Sequence, residues 1–237
     1  NRAIHEDCHG INKLWLTASG GGFLQKSNDQ MRQASVQDAV KHPNWSMGQK
    51  ISIDSATMMN KGLELIEACH LFNLPEDRIS IVIHPDSVVH SLVEYVDGSF
   101  LAQLGNPDMK TPIAHALAYP NRMNANVKSL DLYDLSALTF IKPDEEKFVS
   151  LALARFAAKR GVGACITLNA ANEVAVAAFL DEKIRLTDIA VVVRHCLKDL
   201  TLSSHFDDKF ENLDEILNMD DKVRQTAARY IDKGVTA

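Results

Sequence analysis

Asn60, Lys61 and Glu64 fall in the run Asn44 to Ala68, NWSMGQKISIDSATMMNKGLELIEA, and bring an amide, an ammonium and a carboxylate together. Lys and Asn donate to anionic oxygens while Glu supplies a hard oxygen ligand, so the set suits a phosphate bound beside a divalent cation. At 100° per residue, Thr57, Asn60, Lys61 and Glu64 share an arc of about 100°, with Met59, Gly62, Leu63 and Ile66 opposite. The ordinary alternative is a solvated Lys–Glu helix pair worth roughly 0.2–0.5 kcal/mol. Spacing alone leaves both readings open.

Other runs carry chemistry of the same kind. Ser19-Gly20-Gly21-Gly22 follows an apolar run, and a glycine turn offers backbone N–H groups to anions, although most such turns are only turns. The loop His42–Gly48 combines an imidazole, Trp45, Met47 and Gly48. Large apolar side chains in an exposed loop suit a lid that closes over a ligand; the alternative is an anchor to the core. Ser55 is expected at a helix N-terminus, where the dipole would assist Asn60 and Lys61 in holding a phosphate. His84, Asp86 and His90 match no metal-ligand spacing and read as polar groups satisfied within the fold. His5, Glu6, Cys8 and His9 read as a polar terminus, and Asn169, Asn172 and Glu173 as helix-start residues.

The elements needed to position these residues are legible in outline. Strands are expected at Leu14–Thr17, Ile51–Ile53 and Ile79–Ile83. Asp97-Gly98 between Val88–Val96 and Ser99–Leu104 signals a hairpin with a type I′ turn. Helices are expected near Val36–Lys41 and at Ser55–Phe72, capped by Asp54 or Ser55, with a short one at Ile113–Ala118. From Tyr119 to Asp144 the periodicity fades into a wrapping segment. Four helices follow: Glu145–Arg160 ending at Gly161, Ala170–Lys183, Asp188–Leu200 after Thr187, and one from Asp220 or Asp221 to Lys233. The fold class is α+β, a mostly antiparallel sheet with helices followed by a four-helix bundle. The expected domains are 1–118 (the α+β part), 119–144 (linker) and 145–237 (bundle).

Composition narrows the function classes. The 237 residues are 46% hydrophobic and 24% charged with a net charge of −6, and no basic block argues for nucleic acid. No apolar run reaches the roughly 20 residues of a membrane span. Cys8, Cys69, Cys165 and Cys196 are scattered, as expected of reduced thiols in a cytoplasmic protein. No GxGxxG follows a strand, so a dinucleotide fingerprint is absent from the sequence.

Taken together, the blocks LTASGGGF (16–23), HPNWSMGQKISIDSATMMNKGLE (42–64), IHPDSVVHSLVEYVDGS (83–99), LAQLGNPDMKTPIAHALAYPNR (101–122) and TLNAANEVAVAAFL (167–180) resemble the 1-deoxy-D-xylulose 5-phosphate reductoisomerase family. The resemblance covers nearly the whole chain and is thinnest before Leu14 and after Leu200. It implies that Ser19, Ser55, Asn60 and Lys61 hold a substrate phosphate and that His42 contacts substrate from a mobile loop. By the same resemblance Trp45 and Met47 form the lid, Gly48 touches NADPH, and Glu64 is one of three acidic ligands of Mg²⁺, Mn²⁺ or Co²⁺. Lys61 and Glu64 are then the catalytic pair, His90 stands behind the site, and the catalytic domain makes a homodimer. The family pattern further implies a nucleotide domain and an Asp-Ser-Glu motif before Asn1, so this chain alone is expected to be an inactive part of the enzyme. Gly22 departs from the family's frequent Pro. Competing readings are a non-catalytic dimerising module and a metal-dependent phosphatase built on His84 to His90.

Overall fold

Residues 10–41, 47–202 and 210–235 are described by the computed structural model, with the backbone alone for 200–202. The chain divides into two compact units: residues 1–19 with 80–142, and residues 20–79 with 143–237.

The first unit is built on a mixed sheet of order β2-β1-β3-β4, where β1 is Ile11–Ala18, β2 Ile79–Ile83, β3 Val89–Tyr95 and β4 Phe100–Leu104. β1 pairs antiparallel with β3, and β3 with β4. β2 is β-branched and buried at four of five positions, as a strand covered on both faces must be. Cross-strand bonds fix the register: Trp15 donates its ring N–H to Glu94 Oε2 at 2.7 Å, and Asn12 donates to Glu94 Oε1 at 2.6 Å. The β3–β4 connection is a type I turn with a glycine bulge, not the expected type I′. Gly98 takes φ 83° while Asp97 stays right-handed, its carboxylate accepting from the Ser99 N–H at 2.9 Å. Helix α5 (Lys110–Ala118) follows, and Ile141 pairs with Ile83 in both directions at 2.8 and 2.9 Å.

The second unit is helical. Ser27 and Ser35 open α1 (Asn28–Arg32) and α2 (Val36–Ala39) with capping boxes. Helices α3 (Gln49–Ala56) and α4 (Met59–Phe72) follow, then α6 (Val149–Arg160), α7 (Val162–Leu180), α8 (Asp188–Leu202) and α9 (Leu213–Asp232). The last four form the expected bundle, with Leu151, Leu168, Ala171, Val176, Val193 and Ala227 in its core. α4 packs on α6 through Gly62, where a β-carbon would lie 2.7 Å from Ala154 Cβ. Compactness therefore groups 20–79 with the bundle, whereas the division at 118 and 144 follows contiguity along the chain. Helix α7 is long and apolar enough to span a bilayer by length and composition, a run that the sequence reading passed over. Most of its residues are buried in the unit, the mark of a core helix.

Several boundaries correct the expectations. Ile51–Ile53 is helical: Ile53 is buried and Ile51 exposed, and Ile53 and Ala56, three apart, point into the core. Asp54 and Ser55 are therefore inside α3 and cap nothing. α7 starts directly after Gly161, so Asn169, Asn172 and Glu173 lie mid-helix. α9 starts at Leu213, because Asn212 Oδ1 accepts from the Glu215 N–H at 3.0 Å.

Candidate substrate-binding site

A break between α3 and α4 sets the geometry of the site. Met58 holds φ 62°, an uncommon conformation for a side chain of this size, and its own side chain is buried. Thr57 ties off the end of α3, its hydroxyl donating to Ile53 O at 3.1 Å and accepting from the Met59 N–H at 3.3 Å. No side chain caps the N-terminus of α4. That end carries the positive pole of a 14-residue helix, so it favours an anion.

Asn60, Lys61 and Glu64 come together on the first turns of α4. Lys61 Nζ donates to Glu64 Oε2 at 2.5 Å and Asn60 Nδ2 to Glu64 Oε1 at 2.7 Å. The Lys61 side chain is 13% exposed and that of Glu64 37%, so the lysine is largely covered while the carboxylate keeps contact with solvent. The predicted apolar face holds for Met59, Gly62 and Ile66, which are buried, with Leu63 partly so.

Ser55 is in the last turn of α3, not at a helix N-terminus, so the dipole of its own helix does not assist it. The glycine turn packs against it. Gly21 takes φ 64°, and a β-carbon there would lie 2.5 Å from Ser55 O; at Gly22 one would lie 2.9 Å from Lys41 O. Ser19 ends the β1 segment and belongs to the sheet unit. Gly48 precedes α3, is exposed and has open space where a side chain would stand, and its carbonyl accepts from Ser52 Oγ at 3.0 Å. Met47 is half-buried; His42 and Trp45 lie outside the described residues.

The His84–His90 run serves the fold. The His84 ring nitrogen Nδ1 bonds Thr139 O at 2.8 Å, Asp86 accepts from the Thr139 N–H at 3.1 Å, and Phe140 stacks on the His84 ring. His90 Nε2 lies 3.2 Å from Gly105 O, and burial pushes its imidazole below the usual histidine range. Among the described residues no group of three His, Cys, Asp or Glu could hold a metal.

Sequence reasoning missed a buried polar pair beside the site. Asp54 and Asn172 are 1% and 0% exposed, and Asn172 Nδ2 donates to Asp54 Oδ1 at 2.9 Å. Lys50 Nζ reaches the other Asp54 oxygen at 2.7 Å. The signal was present: Leu168, Asn172 and Val176 recur every fourth residue on a buried face, which places an amide in the core. Lys147 was also missed. Its ammonium donates to the carbonyls of Phe23, Leu24 and Lys26 at 2.8, 2.8 and 2.5 Å, holding the segment after the glycine turn, and burial pushes its pKa below the usual lysine range.

A model described as the DXP reductoisomerase C-terminal domain matches residues 104–226, and one described as the 1-deoxy-D-xylulose 5-phosphate reductoisomerase C-terminal domain matches residues 2–72. The chain is 62% identical over 235 residues to 1-deoxy-D-xylulose 5-phosphate reductoisomerase of Psychrobacter sp. (strain PRwf-1), covering 96% of this chain and 57% of that protein. It is 55% identical over 222 residues to the protein of the same name from Acinetobacter baumannii (strain ACICU), covering 94% and 54%. A crystal structure of DOX-P reductoisomerase in complex with NADPH, fosmidomycin and magnesium superposes with a TM-score of 0.89 at 66% identity, covering 98% of this chain and 58% of that one. The enzyme from Zymomonas mobilis in complex with NADPH gives 0.88 at 46%, covering 96% and 57%. The chain thus spans little more than half the length of these relatives. With one family model matching over half of its residues and a second matching its beginning, the chain belongs to the 1-deoxy-D-xylulose 5-phosphate reductoisomerase family.

Proposed function

We propose that this chain supplies the substrate-phosphate grip, and one acidic side chain, of an enzyme that converts 1-deoxy-D-xylulose 5-phosphate to 2-C-methyl-D-erythritol 4-phosphate with NADPH. The observation that carries the reading is the Asn60–Lys61–Glu64 cluster on the first turns of an uncapped helix. Lys61 and Asn60 turn their donors from Glu64 to the phosphate oxygens, Ser55 adds a hydroxyl, and the helix pole adds a fixed field. Such a grip acts far from the reacting carbons, so its binding energy serves to orient the substrate. His42, Trp45 and Met47 are proposed to close over it, and Gly48 to meet the nucleotide.

Glu64 is a hard oxygen donor for Mg²⁺ or Mn²⁺, but it stands alone. Magnesium takes a near-octahedral oxygen shell, and among the described residues no group of three His, Cys, Asp or Glu that could hold a metal forms around Glu64. They do not by themselves fit the metal, so no catalytic step is derived through it. We infer that residues 1–237 alone do not turn over substrate. Sustained loss of NADPH absorbance with this chain, Mn²⁺ and substrate would overturn that.

The sheet unit supports a homodimer. Edge strand β4 exposes Phe100 and Leu101 at 49% and 61%, and α5 exposes Ile113 and Leu117. That face equally supports the second reading, a dimerising module without catalysis. Cytoplasmic placement fits the thiols of Cys69 and Cys196, which are in no disulfide. Phosphate binding separates the two functional readings. Replacing Lys61 by Ala should weaken binding of inorganic phosphate, measured calorimetrically, by roughly tenfold to a hundredfold, the worth of a hydrogen bond to a charged group. An unchanged affinity refutes the grip.

A further inference from the structure

Asn172 belongs to bundle helix α7 and lies far along the chain from the grip, yet its side chain ends on the helix that carries Ser55. Its amide donates to Asp54 Oδ1 at 2.9 Å, both side chains are essentially without solvent contact, and Asp54 immediately precedes Ser55. Asp54 is in turn bound by Lys50 one turn earlier. The same stretch is tied at each end, by Ser52 to the Gly48 carbonyl and by Thr57 to the carbonyls of Ile53 and Asp54. Asn172 Oδ1 finds no hydrogen-bond partner among the described residues. A leucine of similar volume would remove that unpaired acceptor but would take the amide donor from the buried Asp54 Oδ1, so the amide is kept for its bond to Asp54.

We propose that Asn172 is a positioning residue for the phosphate grip: through Asp54 it fixes the rotation of α3, and thereby the place of Ser55 and the start of α4. Neither Asn172 nor Asp54 touches the anion. Their bond is a directional link between the side chains of α3 and α7, and a hydrogen bond fixes rotation where apolar contact does not. The inference rests on the proposed phosphate site at Ser55, Asn60 and Lys61.

The test uses the full chain with inorganic phosphate as probe, reading the calorimetric Kd together with the ligand-free Tm. Asn172→Leu removes the bond, and Asn172→Asp turns the donor into a carboxylate facing Asp54. Each should weaken phosphate binding roughly tenfold or more, because misplacing a binding group by about an ångström costs that order. The exchange Asp54→Asn with Asn172→Asp rebuilds an amide–carboxylate bond in the opposite sense and should bring Kd back to within about threefold of the native value. A purely structural role would lower Tm while leaving the Kd of the folded protein unchanged, and that result overturns the proposal. So does a folded exchange variant that still binds phosphate as weakly as Asn172→Asp, which keeps the test decisive if Asn172→Leu fails to fold. Lys61→Ala serves as the control: if it binds phosphate like the native chain, the grip itself is refuted and the inference falls with it. If it loses phosphate while both Asn172 variants keep it, the grip stands and only the positioning role fails.

Discussion

At the residue scale, Glu64 is the hub on which an ammonium and an amide converge. The sequence disclosed the members of this cluster, because Asn60, Lys61 and Glu64 share a helix face. It did not disclose how far the Lys61 side chain is covered, which depends on tertiary packing. His90 offers a different residue-scale consequence. Burial holds its folded pKa below the unfolded value of about 6.5, against the opposing bond to the Gly105 carbonyl. Above that pH both states are neutral and the full stability is present. As pH falls through about 6.5, the unfolded chain takes up a proton that the native ring refuses, and stability declines. Urea midpoints measured from about pH 7.5 to 5.5 should therefore fall more steeply for the native chain than for His90→Gln.

At the element scale, the α3–α4 pair determines whether the site exists, and here the sequence misled. The Ile-Ser-Ile alternation imitates a strand, and the uninterrupted polar–apolar text from Ser55 to Phe72 conceals a break at Met58, since nothing about methionine announces φ 62°. The last helix hid its start in the opposite way: Asn212 with Glu215 is a legible cap signal, overshadowed by the acidic pair further on. The hairpin, β2 and the end of α6 at Gly161 were readable because turn and cap chemistry is local. α4 owes its seat to Gly62. Gly62→Ala places two β-carbons 2.7 Å apart, neither able to swing aside, and should destabilise the chain by about 1–3 kcal/mol in chemical denaturation.

At the scale of the whole molecule, the sheet unit presents an open strand edge with apolar side chains, a surface that isolated proteins ordinarily blunt. Leu101→Lys should shift the protein from dimer to monomer in sedimentation experiments at micromolar concentration, with phosphate affinity unchanged if the grip is complete within one protomer. An unshifted dimer would place the interface elsewhere.

The helical unit is also interrupted in sequence: residues 80–142 are made between its two parts. During synthesis α4 leaves the ribosome with the groove around Gly62 uncovered, and it stays so until α6 emerges after the whole sheet segment has been translated. Asp54 waits longer still for Asn172. The proposed anion site is thus completed only after the whole sheet segment has been made, and a chain ending at Lys142 would present an open apolar helix face, a natural target for chaperones and proteases.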